Sequence, residues 1–215
     1  MTGQRWVALD VGETLIDETR VWATWAEALG STPFTIMSAI GATIARGVEY
    51  DRAFEMLHRP EWRAMEREVN ERYGGFRAED LYPDALPTLD GLRRAGFKVA
   101  VVGNQPARRT AELRALGVET DVLAMSEELG AHKPEAAFFA RALERMGNPD
   151  PGDVAYVGDR LDNDVRASAA SGLHSVWIRR GPWGVIPKAP VPRATLVIDA
   201  LPELLEHIHE IWPDL

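Results

Sequence analysis

Short apolar runs recur along the chain, and amphipathic stretches separate most of them. Trp6-Val7-Ala8-Leu9 ends at Asp10 and is too short for a helix, so it predicts a buried strand. Similar runs occur at Lys98 to Val102, Val122 to Ala124, Val154 to Val157, Ser175 to Ile178 and Thr195 to Ile198. Between them, helical periodicity appears over Leu86 to Ala95, Ala107 to Leu116, Pro134 to Met146 and Asp162 to Ser171. Each of these ends at a glycine (Gly96, Gly117, Gly147, Gly172), the usual stop signal of a helix. Buried strands alternating with helices predict an α/β fold built on a doubly wound parallel sheet.

Residues 17–85 break that rhythm. They contain no strand pattern and read as four helices: Thr19 to Leu29, Thr35 to Arg46, Tyr50 to Leu57 and Glu61 to Tyr73. Val21, Trp22, Trp25, Ala28 and Leu29 share one helical face. A helical module is therefore expected at 17–85, inserted into a core made of 1–16 and 86–215. Arg180 to Arg193, with four Pro and two Gly, reads as a loop, and Leu201 to Trp212 as a surface helix with an acidic face. The uncharged stretch from Ala28 to Ala45 approaches the length of a membrane span. It is interrupted by Gly30, Pro33 and Gly41, and reads as a loop followed by a packed helix.

Composition narrows the function classes. The 215 residues include 24 basic and 33 acidic side chains, a net charge of −9, which disfavours nucleic acids and anionic membranes as partners. There is no cysteine, so disulfides, thiolate metal sites and cysteine nucleophiles are excluded. With no signal-peptide pattern at Met1 to Arg5, a cytoplasmic setting is expected. Only three of the basic residues are lysines: Lys98, Lys133 and Lys188.

Ligands of open α/β sheets bind beyond the carboxyl ends of the strands. The first strand is followed by Asp10-Val11-Gly12-Glu13-Thr14-Leu15, the second by Gly103-Asn104-Gln105, and the fourth by Gly158-Asp159 with Asp162, Asn163 and Asp164 close behind. Lys133-Pro134 follows the third. Asp10, Asp159, Asp164 and Lys133 are thus expected at one edge. Clustered carboxylates repel unless a cation joins them, and a hard divalent ion such as Mg²⁺ suits an all-oxygen set.

These motifs, in this order and approximate spacing, resemble the haloacid dehalogenase (HAD) superfamily of hydrolases, in the group with a helical cap inserted after the first strand. Tyr82-Pro83-Asp84, where the chain re-enters the core, is also similar to that family. The resemblance covers nearly the whole chain and implies a Rossmann-like core, Mg²⁺ as cofactor and a small phosphorylated molecule as substrate. It implies that Asp10 is the nucleophile and forms an aspartyl-phosphate. The metal would be held by Asp10, the Gly12 carbonyl and Asp159. Lys133 would pair with Asp10 and the phosphoryl group, Thr14, Gly103 and Asn104 would contact phosphate, and Asp164 would orient Lys133 from behind.

Two positions depart from the family pattern. Phosphatases of the family carry a second Asp two residues after the nucleophile, which protonates the leaving group and then activates water; here Gly12 stands there. Losing a general acid–base group typically costs ~10²–10⁴-fold. Glu13 is adjacent, but its side chain is expected to point elsewhere. Gly103 stands where the family has Ser or Thr. A phosphatase is therefore weighed against a phosphate-binding or regulatory protein of the same fold, and against a dehalogenase, whose halide needs no proton. The metal-type Gly158-Asp159 motif disfavours the dehalogenase. Phosphonate cleavage needs a cap lysine, and residues 1–97 hold none. Trp22 and Trp25 are expected to be core rather than pocket, His132 to be a surface residue, and His207 and His209 to face different sides of a helix.

Overall fold

Alternate residues of a strand face opposite sides of a sheet, and that period sorts the apolar runs into two cores. The computed structural model describes residues 3–186 and 193–214. Its strands are β1 (Trp6–Leu9), β2 (Lys98–Gly103), β3 (Val122–Met125), β4 (Val154–Gly158), β5 (His174–Ile178) and β6 (Leu196–Ile198). They form one parallel sheet in the order β3-β2-β1-β4-β5-β6. The helices that matter to the site are α1 (Thr19–Ala28), α2 (Pro33–Arg46), α3 (Arg52–Met56), α4 (Glu66–Tyr73), α5 (Ala85–Arg94), α6 (Arg108–Ala115), α7 (Ser126–Leu129) and α8 (Ala136–Arg145).

Val7, Leu9, Val99, Val101, Ala155 and Val157 pack on one face with Leu89 and Leu92 of α5. Trp6, Ala8, Ala100, Val102 and Tyr156 pack on the other with Phe138, Phe139 and Ala142 of α8. β1, flanked by β2 and β4, is fully sandwiched, which explains its unbroken apolar run. Strand order reverses direction between β1 and β4, and the ends of those strands place Asp10 and Asp159 at the switch point.

α1 to α4 build a third cluster of their own. Trp25, Phe54 and Trp62 form its centre, with ring centroids 5.0 Å apart for Trp25–Phe54 and 4.4 Å for Phe54–Trp62. α2 starts with a Thr32 side chain accepting from Thr35 N–H and Pro33 in its first turn, and buries Ile36, Ile40 and Ile44. Among the described residues no single helix is long and apolar enough to cross a membrane; α1 and α2 meet the length and composition test only together, across a 113° bend.

Several elements differ from the sequence expectation. Gly181–Val185 is a short helix inside the predicted loop, because Pro182 falls in its first turn, where no N–H is needed. Residues 187–192 of that loop lie outside the described residues. The C-terminal helix is two pieces, Pro202–Glu206 and Ile208–Ile211, and it is docked rather than superficial: Leu204, Ile211 and Trp212 are buried against the sheet's first face. The fourth predicted helix opens at Leu161–Arg166 with a wide turn in which Val165 N–H reaches back five residues to the Arg160 carbonyl.

Two chain crossings join the helical module to the sheet. Ile16 and Leu81 form an antiparallel bridge, Asp17 N–H donates to the Asp80 carbonyl at 2.7 Å, and Tyr82 N–H to the Leu15 carbonyl at 2.9 Å. Arg20 clamps the junction. Its Nε donates to Asp80 Oδ1 and its Nη1 to the Tyr73 carbonyl, both at 2.7 Å, while the guanidinium lies 3.9 Å from the Tyr73 ring centroid. Burial pushes the Asp80 carboxyl up, but hydrogen bonds from Arg20 and the Arg77 N–H outweigh it and hold Asp80 below the usual range. A carboxyl held low stabilises the fold above its unfolded pKa and loses that contribution as acid protonates it.

Removing Arg20 leaves a buried carboxylate without its cation. Arg20→Met is expected to cost about 3 kcal/mol at neutral pH, the low end for breaking a buried pair, because the Arg20 side chain is 20% exposed. The deficit should shrink below about pH 4, where Asp80 protonates in the unfolded chain. Urea unfolding of wild type and variant at both pH values measures it; a pH-independent deficit would show that packing, not charge, is what Arg20 contributes.

Candidate active site

Parallel register puts the strand ends level. Leu9 pairs with Val101 and Val157, so Asp10 leaves the sheet beside Val102 and Gly158, with Asn104 and Asp159 just beyond. A cavity of about 560 Å³ opens there, lined on the sheet side by Asp10, Gly12, Asn104, Gln105, Lys133 and Asp159 and on the helical side by Glu18, Val21, Trp22 and Tyr50.

Lys133 is the hub. Its ammonium lies 2.7 Å from Asp10 Oδ1 and 2.7 Å from Asp164 Oδ1, and all three residues are buried. Burial opposes the charge, but Asp10 and Asp164 outweigh it and hold the ammonium well above the ordinary lysine range. Asn104 fixes the backbone beneath that side chain: its Oδ1 accepts from Lys133 N–H at 2.8 Å, and its Nδ2 donates to the Lys133 carbonyl at 2.9 Å. The wide turn after Arg160 aims Asp164, whose Oδ2 accepts from Arg160 N–H at 2.9 Å.

One ammonium faces three carboxylates. Ligand oxygens of Asp10, Asp159 and Asp164 lie within 4.8 Å of one another. Burial, then Asp164 and Asp10, push the Asp159 carboxyl well up. Burial also pushes Asp164 up to about 6, with Lys133 opposing and Asp10 adding to the shift. Asp159 Oδ2 is buried with no hydrogen-bond partner. An orphaned carboxylate oxygen beside two more acids is what a hard divalent cation would complete, and the donor set is all oxygen.

Glycines give these carboxylates room. A Cβ on Gly103 would stand 2.6 Å from Asp10 Oδ1 and 3.0 Å from Val11 Cγ2, so the nucleophile candidate lies across the end of β2 where Ser or Thr would stand. A Cβ on Gly158 would run into the Asp164 carboxyl.

The remaining predicted residues divide. Gly12 lines the cavity. Thr14 does not: it is fully buried with its hydroxyl unpartnered, because the 11–16 turn, closed by Leu15 and Ile16 N–H on the Val11 carbonyl, carries it inward. Asn104 lines the cavity, and both polar atoms of its side chain also engage the Lys133 backbone. Glu13 adopts a left-handed backbone (φ 51°), and its carboxylate accepts from Tyr82 Oη at 2.6 Å and Glu18 N–H at 3.1 Å. Of the two tryptophans, Trp25 is core as expected, while Trp22 lines the cavity with its ring edge-on to Tyr50, 5.9 Å between centroids. His132 is exposed.

Among the cavity residues that were not anticipated are Glu18, Glu49, Tyr50, Arg160 and Trp183. Glu18 follows Asp17 at the start of α1, and its signal was the glycine at 12, which leaves unfilled space for a nearby acid. Burial pushes its carboxyl up to about 8, helped by Glu13 and Asp10. Arg160 forks onto Asp162 at 3.0 and 2.8 Å and lies 5.4 Å from the Trp183 ring centroid.

A family model described as haloacid dehalogenase-like hydrolase matches residues 4–172. A glyceraldehyde 3-phosphate phosphatase of Methanopyrus kandleri is 36% identical over 137 residues, 62% of this chain and 58% of that protein. A phosphoserine phosphatase of Thermus thermophilus is 31% identical over 172 residues, 73% of this chain and 68% of that one. The crystal structure of a HAD phosphatase from Thermococcus onnurineus superposes with a TM-score of 0.62 at 26% identity, covering 95% of this chain and 98% of that one. The chain spans about half the length of the first of these relatives and of others like it.

If the acidic cluster takes a divalent cation, occupancy stabilises the fold. Mg²⁺ at about ten to a hundred times its dissociation constant is expected to add roughly 1.4–2.7 kcal/mol. Asp159→Asn should abolish that gain while leaving the metal-free protein at least as stable as wild type, since one like charge is removed. Thermal melts with and without Mg²⁺ decide it, and an undiminished shift in the variant would remove Asp159 from the ligand set.

Proposed function

Because the chain belongs to the haloacid dehalogenase-like hydrolases, we propose that it is a Mg²⁺-dependent phosphatase of a small phosphorylated molecule, acting through an aspartyl-phosphate on Asp10. The observation that carries this reading is the Lys133 ammonium, 2.7 Å from Asp10 Oδ1, in a cavity shared with the orphaned Asp159 carboxylate. A carboxylate is a weak nucleophile towards a phosphate dianion unless positive charge screens the approach.

In this reading Asp10 attacks phosphorus in line with the ester oxygen. Lys133 donates to the phosphoryl oxygens as charge moves onto them, with Asp164 behind it and Asn104 fixing its backbone. Asp10, the Gly12 carbonyl and Asp159 would hold Mg²⁺, which would supply positive charge to offset that of the attacking carboxylate and the phosphate. Water then hydrolyses the aspartyl-phosphate. Residues 17–85 serve as the cap over a core of 1–16 and 86–215, and Trp22 and Tyr50 on its inner side meet the substrate's leaving group. Closure of such a lid excludes water from the first step.

Gly12 supports one alternative: a protein that binds a phosphorylated ligand and scarcely turns it over. Phosphate release from a panel of small phosphomonoesters separates the two. Turnover is expected with Mg²⁺, none after chelation, and none from Asp10→Asn. Lys133→Met should lower kcat by about 10²–10³, the usual loss of one charge-stabilising donor. Mg²⁺-dependent binding without release across the panel would favour the alternative, and release that survives Asp10→Asn would overturn the aspartyl-phosphate route.

A further inference from the structure

A phosphomonoester that leaves as an alkoxide needs a proton, and the residue at position 12 has no side chain to give one. We propose that Glu18 is the missing acid–base residue: its carboxyl, from the first turn of the helical module, donates the proton to the leaving oxygen and then accepts one from the attacking water. This inference deepens the phosphatase reading and rests on it.

The geometry is specific. A Cβ built on Gly12 would lie 2.5 Å from Glu18 Oε1 and 3.0 Å from Glu18 Cδ. The Glu18 carboxyl therefore occupies the volume into which a side chain at 12 would project. Glycine at 12 and glutamate at 18 are two halves of one arrangement. Both line the cavity that holds Asp10 and Lys133.

The carboxyl is also uncommitted. Among the described residues it makes no hydrogen bond and no ion pair, whereas Glu13, Asp162 and Asp164 nearby are engaged. Glu13 is bonded to Tyr82 and to Glu18 N–H. Asp162 is forked by Arg160. Asp164 is held by Lys133 and Arg160 N–H. The Glu18 backbone is pinned by that bond to Glu13 and by Trp22 N–H on its carbonyl at 3.3 Å, so the side chain is aimed from a fixed base.

The steps balance. In the first, an Asp10 oxygen bonds to phosphorus, the ester P–O bond breaks, and the leaving oxygen takes the Glu18 proton. In the second, water oxygen bonds to phosphorus, its proton passes to Glu18, and the P–O bond to Asp10 breaks. Inorganic phosphate leaves, with Asp10 and the protonated Glu18 restored.

Substrates that differ in their need for a proton test this in the Mg²⁺-loaded protein. Nitrophenolate leaves p-nitrophenyl phosphate without protonation, whereas glycerol phosphate requires it. With glycerol phosphate, Glu18→Gln is expected to lower kcat by about 10²–10⁴ with little change in KM. With p-nitrophenyl phosphate the same variant should keep a first-turnover burst of nitrophenolate and then stall as phosphorylated Asp10 accumulates. Gly12→Asp placed in a Glu18→Ala background should recover at least about tenfold of the lost glycerol phosphate turnover. An Mg²⁺-induced thermal shift equal to that of wild type certifies that the Glu18→Gln protein is folded and loaded. Equal slowing of the burst and of turnover on both substrates would overturn the proposal, as would glycerol phosphate turnover within about threefold of wild type. A wild-type protein that releases no phosphate from either ester overturns the phosphatase reading itself, a result distinct from turnover indifferent to Glu18.

Discussion

A single buried ammonium holds this site together. The order of the strands delivers Asp10 and Asp159 to the same edge of the sheet, and the wide turn after β4 adds Asp164. Three carboxylates packed within a few ångströms repel in a low-dielectric setting. Lys133 sits 2.7 Å from two of them and offsets part of that repulsion. The chain uses arginine for nearly every other cation, but a guanidinium is a planar fork that suits bidentate, partly open pairs. The narrow space between Asp10 and Asp164 takes a compact point charge. Asn104, at the end of the neighbouring strand, is engaged in keeping the Lys133 backbone in place. The loops after β2, β3 and β4 are therefore ordered around one charge, and the excess negative charge left over is of the kind a divalent cation would offset.

Empty space is the complementary device. Gly103, Gly158 and Gly12 each face a carboxyl group: that of Asp10, Asp164 and Glu18 respectively. A β-carbon at any of them would stand where an acid now lies. Two of these positions are the ones that depart from the family pattern, and the departures read differently once the neighbours are known. At Gly103 a lost hydroxyl is exchanged for a nucleophile candidate lying flat over the strand end. At Gly12 a lost carboxyl is matched by another carboxyl arriving from α1. Neither glycine is simply a deletion, because each void is filled by a carboxyl group that lines the cavity.

Much of this was legible in the sequence, for identifiable reasons. Buried parallel strands must be apolar on both faces, so all six runs stood out, and residues that follow them fall at the ligand-binding edge by topology alone. That logic located Asp10, Lys133, Asp159 and Asp164. It misplaced Thr14, because a tight turn inverts direction within a few residues and periodicity does not report which way. It did not reveal that the Asn104 amide also holds the Lys133 backbone, a pairing across 29 residues that no local pattern encodes. Trp22 and Trp25 shared a helical face in the sequence, yet one is core and the other lines the cavity, since the face is wide enough to straddle the module's edge. Glu18 was overlooked because the absence of a side chain at 12 was read as a loss, not as room.

The placement of Glu18 ties chemistry to architecture. Its backbone hangs from Glu13, whose carboxylate is in turn bonded to Tyr82, the residue with which the chain returns to the sheet. Arg180 lies 4.1 Å from the Tyr82 ring centroid, pairs with Asp84 and donates to the Thr14 carbonyl at 3.1 Å. Both crossings between module and sheet are thereby joined by polar contacts, whereas the module's own interior is aromatic and apolar. Interiors of that kind shift as units rather than deform. Any closure of the module over the cavity must turn about the Ile16–Leu81 bridge, and Glu18 lies two residues beyond that pivot. A group so near the hinge moves little as the module swings. In the proposed reaction Glu18 would therefore keep its relation to Asp10, while Trp22 and Tyr50, farther along the module, would move with the wall of the cavity.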